Sequence, residues 1–234
     1  MRSVVVLRNE FEAPAGYLGD ALDRRDIAWS LVRVDEGEGL PDRETMAGLV
    51  VLGGAMGAYD EREFPFLVDE KRLMASCVEA GIPVLGICLG CQLLADALGG
   101  RAFRAGSAEV VFAPVELSDA GQREPAAAAL AGRPVMRFHQ DTFTMPSGAT
   151  RLATGGGYTQ AFRIGSALGI QPHPEVTPEI LSGWLADGEA RRIAIDAGAD
   201  PDAIIEAFRS AEASVEATAA DFFGAWIDEV TRNT

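Results

Sequence analysis

The stretch Val84-Leu85-Gly86-Ile87-Cys88-Leu89-Gly90-Cys91 decides how this chain is read. A short apolar run ends in Gly-x-Cys-x-Gly, and a helical pattern starts at once with Gln92-Leu93-Leu94-Ala95-Asp96-Ala97-Leu98. That order predicts a strand, a sharp turn and a helix, with a thiol at the turn. Glycines on both sides of Cys88 permit a strained backbone and leave room for a substrate. A helix N-terminus favours negative charge, which suits a thiolate at that point.

A cysteine nucleophile needs a proton acceptor. The chain has only two histidines, His139 and His173. His173 lies in Ile170-Gln171-Pro172-His173-Pro174-Glu175, where the prolines fix the backbone and hold it at the end of an apolar strand, 167–171. Glu175 is two residues on, so a folded-back loop brings its carboxylate to the imidazole. Taken singly, Cys88 reads better as a buried core thiol and His173 as a turn histidine. Taken together they read as nucleophile, base and orienting carboxylate.

A second glycine turn fits. The apolar run 48–52 is followed by Gly53-Gly54-Ala55-Met56-Gly57. Such a turn after a parallel strand offers N–H groups to an oxyanion, or is an ordinary loop. No Gly-Lys-Ser/Thr follows, so a nucleotide P-loop is not supported.

Gly-Ile-Cys-Leu-Gly-Cys-Gln at 86–92, followed far downstream by His173-Pro174-Glu175, resembles the class I glutamine amidotransferases. The resemblance covers roughly the first three quarters of the chain, the scale of one α/β domain. It implies a flavodoxin-like fold and hydrolysis of the glutamine side-chain amide through a γ-glutamyl thioester. Cys88 would be the nucleophile, His173 the base and Glu175 its partner. The oxyanion would sit on the backbone N–H groups of Gly54, beside Gly53, and of Leu89, and Gln92 would help hold the substrate. Within the family the chain looks most like the stand-alone, GMP-synthase-like proteins. Phe138-His139-Gln140-Asp141-Thr142-Phe143 has the look of that branch, whose commoner form is His-Gly-Asp. With Gln140 in that motif, His139 and Asp141 either line the substrate site or cap a loop. The resemblance asks for no metal or organic cofactor, and it suggests a separate synthetase as ammonia acceptor.

Position 91 is often histidine in that family and is cysteine here. The resulting Cys88-x-x-Cys91 invites a redox reading, which explains neither the glycine frame nor His-Pro-Glu. A regulatory Cys88–Cys91 disulfide stays open. So do two rival functions: a γ-glutamyl peptidase or hydrolase with the same triad, and a silent regulatory subunit.

Composition agrees with a soluble enzyme. The 234 residues are 48% hydrophobic, with no run long enough to span a bilayer. No signal-peptide pattern precedes the first strand, and three cysteines make no disulfide framework, which points to the cytoplasm. A formal charge of −15 disfavours nucleic acid as a partner. Thirteen acids against four arginines after position 174 read as a solvated helix face.

Strands are predicted at 3–7, 29–34, 48–52 and 83–87, with helices at 15–25 and 66–80. This alternation predicts an α/β fold, a mostly parallel sheet flanked by helices, treated as one domain over 1–234. Between 109 and 170 the segments 109–117, 134–138, 151–153, 158–164 and 167–171 predict a small antiparallel extension that returns His173 to the sheet edge. A stripe of Ile204, Phe208, Ala211, Val215, Ala219, Phe222, Trp226 and Val230 predicts a helical C-terminal extension, 175–234, packed on the core.

Overall fold

In the computed structural model, which describes residues 2–232, strand β1 (Ser3–Arg8) buries Val4 and Val6 in one apolar layer and Val5 and Leu7 in another. Burial on both faces is what a parallel strand with helices above and below requires, because successive side chains point to opposite sides. The chain continues through α1 (Gly16–Arg24), β2 (Trp29–Arg33), β3 (Met46–Val51), α2 (Phe66–Glu79), β4 (Val84–Ile87) and α3 (Leu89–Ala97). Then come β5 (Arg101–Ala113), β6 (Glu116–Leu117), α4 (Asp119–Arg123), α5 (Pro125–Ala128), β7 (Val135–Thr144), β8 (Thr150–Gly155), β9 (Tyr158–Ile164) and β10 (Ala167–Ile170). Four helices close it: α6 (Pro178–Ala186), α7 (Gly188–Asp196), α8 (Pro201–Ser210) and α9 (Glu212–Arg232).

The main sheet has the order β2-β1-β3-β4-β10-β9-β8-β6. Strands β2 to β10 along this order are parallel, and β9, β8 and β6 extend the sheet antiparallel. This is the flavodoxin-like arrangement expected from the sequence, whose sites lie beyond the strand C-termini. One layer holds Leu18 and Leu22 of α1 with Phe222, Trp226 and Val230 of α9. The other holds Leu67 and Met74 of α2 with Leu93 and Leu94 of α3. No helix among the described residues is long and apolar enough to cross a membrane.

Three expectations are corrected. His173 does not return to a sheet edge: it follows β10, which lies inside the sheet between β4 and β9. The predicted segment 109–117 is split, because β5 pairs only with β7 in a separate two-stranded sheet while β6 joins β8. The C-terminal stripe crosses two helices, α8 and α9, which break at Ala211; the period persists because both pack on the same layer.

Helix α2 carries an oddity. Its buried residues include Glu70 between Leu67 and Met74, and neither carboxylate oxygen has a hydrogen-bond partner among the described residues. Burial alone pushes this carboxyl up to about 8. The neighbouring Lys71 is paired with Glu61 and Asp96.

Candidate active site

Between β4 and α3 a single residue makes the turn. Cys88 has φ 51° and ψ −106°, and with Asp26 it is one of two non-glycine residues of positive φ among the described residues. Such a conformation costs on the order of 1–3 kcal/mol and persists only where its surroundings fix it. The flanking glycines do the fixing. A Cβ on Gly86 would overlap the carbonyl of Gly90, and a Cβ on Gly90 would overlap the carbonyl of Val51. Their contribution is close approach of helix to strand, rather than room for a substrate. The Cys88 N–H donates to Ile170 O at 2.8 Å, tying the turn to β10. At this helix start the first N–H groups lack partners within the helix.

His173 arrives from β10 through Pro172. Its backbone N–H donates to Met136 O at 2.8 Å, and its ring lies edge-on to Trp184, centroids 5.1 Å apart. Nδ1 lies 2.7 Å from Glu175 Oε1, and Nε2 faces Phe138 O at 3.4 Å. Burial pulls the imidazole down, but the charges of Glu175 and Cys88 and hydrogen bonds to both outweigh it and hold His173 well above its ordinary value. Glu175 is itself anchored, its carbonyl accepting from Tyr17 N at 2.9 Å at the start of α1. Thiol, imidazole and carboxylate thus form one buried line of neighbours, in which Cys88 Sγ and His173 Nε2 approach the same Phe138 carbonyl and Glu175 holds the other ring nitrogen.

The Gly53-Gly54 turn passes over this line. A Cβ on Gly53 would lie 3.2 Å from His173 Cε1 and 3.7 Å from Cys88 Cβ; one on Gly54 would lie 2.9 Å from Leu89 Cδ2. The turn is held from behind, where Asn9 Nδ2 donates to Leu52 O at 3.2 Å and Ala55 N donates to Glu10 Oε2 at 2.7 Å. Gln92 lies on the first turn of α3, 3% exposed, its amide nitrogen donating to Asp141 O at 3.1 Å.

His139 does not join Cys88. It sits within strand β7 rather than a loop, its ring enclosed. Nδ1 donates to the Asp141 carbonyl at 2.9 Å, and Nε2 lies 2.8 Å from Glu109 Oε2. Glu109 also faces Arg137 at 3.0 Å and accepts from Gln160 Nε2 at 2.7 Å. Burial raises the Glu109 carboxyl, but the His139 hydrogen bond and the Arg137 charge more than offset this and leave it lowered. The Asp141 carboxylate accepts from Tyr59 OH at 3.1 Å, joining β7 to the segment after the glycine turn.

Sequence reasoning missed Gln171, whose Nε2 donates to Cys88 Sγ at 3.5 Å, and the Phe138 carbonyl, 3.7 Å from the same sulfur. Gln171 stood in the quoted motif; Phe138 O gives no side-chain signal. Two surface cavities lie elsewhere: about 310 Å3 at the β8–β9 turn and about 380 Å3 between β5 and the α7–α8 junction.

The family model "Glutamine amidotransferase class-I" matches residues 17–185. A glutamine amidotransferase-like protein, YfeJ of Salmonella typhimurium, is 35% identical over 208 residues, covering 82% of this chain and 86% of that protein. The glutamine-hydrolyzing GMP synthase of Aeropyrum pernix is 35% identical over 162 residues, 64% of this chain but 28% of the synthase. Among solved structures, a glutamine amidotransferase from Thermotoga maritima superposes with a TM-score of 0.83 at 28% identity, covering 98% of this chain and 97% of that one.

Proposed function

Since the chain belongs to the class I glutamine amidotransferase family, we propose that it hydrolyses the side-chain amide of glutamine with Cys88, His173 and Glu175. The observation that carries this reading is the buried line itself, with His173 Nδ1 on Glu175 and Nε2 facing the Phe138 carbonyl that Cys88 Sγ also approaches. Sulfur attacks the amide carbon, and the C–S bond forms as the carbonyl electrons move to oxygen. That oxyanion is taken up by the N–H groups of Gly54 and Leu89. His173 gives its Nε2 proton to the leaving nitrogen, ammonia departs, and a γ-glutamyl thioester remains. Water, deprotonated by His173, adds to the thioester; the C–S bond breaks and glutamate leaves. Glu175 keeps Nδ1 protonated throughout, which directs Nε2 at the reaction.

We further propose that the ammonia is passed to a synthetase. The stretch shared with the GMP synthases spans about a quarter of their length, 28% in Aeropyrum pernix, so the remainder of those enzymes has no counterpart in the match. Basal hydrolysis in the isolated chain is then expected to be slow and stimulated by docking.

The test is steady-state assay of the purified protein with glutamine beside γ-glutamyl peptides, following ammonia and glutamate. Equimolar release from glutamine, abolished in Cys88→Ala and kept in Cys91→Ala, supports the reading. A γ-glutamyl peptide turned over much faster than glutamine would replace it with a peptidase.

A further inference from the structure

A chain of amide hydrogen bonds ends on the sulfur of Cys88, and its direction is fixed from the far end. The backbone carbonyl of Asp141 can only accept, so the Gln92 group facing it at 3.1 Å is the amide nitrogen. That nitrogen also reaches Gln171 at 3.4 Å, so Gln171 turns its oxygen towards Gln92. Gln171 is left with Nε2 towards Cys88 Sγ, at 3.5 Å. The far end does not move freely: the Asp141 carbonyl also accepts from His139 Nδ1 at 2.9 Å. Gln171 is fully enclosed, and its backbone N–H donates to Gln160 O at 2.8 Å.

The sulfur needs such a donor. Its other polar neighbour in the backbone is the Phe138 carbonyl at 3.7 Å, which an S–H satisfies and a thiolate does not. An N–H aimed at the sulfur reverses that preference, because hydrogen bonding to a charged form favours it.

We propose that Gln171 is a further catalytic residue, whose side-chain N–H stabilises negative charge on Cys88 Sγ, and that Gln92 and the Asp141 carbonyl are the positioning groups that hold this amide the right way round. The proposal rests on Cys88 being the nucleophile. The donor acts twice: before attack, when the sulfur proton has passed to His173 Nε2, and at thioester breakdown, when the sulfur recovers the C–S electron pair.

The experiment is the pH dependence of iodoacetamide alkylation at Cys88, read by peptide mass in the full chain. Wild type is compared with Gln171→Met, Gln171→Glu and Gln92→Leu. In Gln171→Met the pH of half-maximal alkylation is expected to rise by about one unit, the scale of one hydrogen bond to a charged group. Gln171→Glu, which sets an acceptor against the sulfur, should raise it further, and Gln92→Leu should raise it less. The kcat for glutamine should fall roughly tenfold in Gln171→Met with KM little changed, a split that general loosening of the site would not give. A folded Gln171→Met or Gln171→Glu with the wild-type midpoint overturns the proposal. Failure of both shape-preserving variants to fold also overturns it, by making Gln171 a core-building residue. Alkylation uses no glutamine, so shifted midpoints in a protein inert towards glutamine would sink the substrate reading and leave this one standing.

Discussion

The two histidines of this chain each hold a glutamate, at 2.7 Å for His173–Glu175 and 2.8 Å for His139–Glu109, and both pairs are buried. Both also touch β7, His173 through Met136 and His139 as a member of the strand. They differ in what stands at the second ring nitrogen. His173 Nε2 faces the Phe138 carbonyl at 3.4 Å, and Cys88 Sγ, a group that can lose a proton and form a bond, approaches the same carbonyl at 3.7 Å. His139 Nδ1 meets a backbone carbonyl, which can do neither. On the proposed mechanism the same pair is reactive in one place and structural in the other, and the carboxylate alone does not distinguish them.

The sharpest way to break this comparison is to remove each ring in turn. His173→Ala should lower kcat for glutamine by roughly 10³-fold or more per folded molecule, beyond what it costs in melting temperature by leaving Glu175 buried without its partner. His139→Ala should also melt early, but its folded fraction should keep most of its turnover. Equal kinetic losses per folded molecule in both variants would erase the distinction.

Next in size is the carboxylate of the structural pair. Glu109→Gln removes the buried carboxylate that faces Arg137 and His139, and should cost about 3 kcal/mol or more in urea unfolding near neutral pH. Because the folded Glu109 carboxyl is lowered, its contribution is present above the unfolded value and lost as pH falls through the folded one. Wild type should thus weaken more than the variant on acidification below about pH 4. Glu175→Gln should instead cost about tenfold to a hundredfold in kcat, since it orients the base without transferring a proton.

Glu70 sharpens the contrast from outside, as a buried glutamate with no hydrogen-bond partner among the described residues. Its folded carboxyl titrates at about 8, so the folded state binds a proton that the unfolded state has released. Stability should fall as pH rises from about 4.3 to about 8, by at most about 1.4 kcal/mol per pH unit. Glu70→Gln should flatten that slope, as unfolding midpoints near pH 5 and near pH 8 would show; an unchanged slope would mean Glu70 finds a partner in solution. The smallest effect expected is at Cys91, fully buried with its thiol pushed up by burial, which should escape iodoacetamide while Cys88 is labelled.

What was legible in the sequence was local. The elbow at Cys88 and the run from Gln171 to Glu175 each lie within a few residues, and the α/β alternation repeats on the scale of one strand and one helix. What was not legible depends on distant pairing. Glu109 and His139 are thirty residues apart and meet only because β5 and β7 pair in register. The place of β10 beside β4 is likewise a choice between sheet partners that no single segment encodes. Gln171 was in plain view and read as the end of a strand, because its orientation depends on Gln92 and a carbonyl contributed by β7.

The N–H of Cys88 closes the β4–β10 ladder one rung past the strand, onto Ile170 O. Cys88 and the run that leads to His173 therefore leave from neighbouring strands in register, an interval common to all sheets at about 4.8 Å. Loops and outer helices can accept insertions without moving that spacing. A one-residue slip in either strand would turn its side chains to the opposite face and separate the pair at once. In lineages descended from such a chain, length changes should accumulate in the surrounding loops and be absent from 84–88 and 167–173.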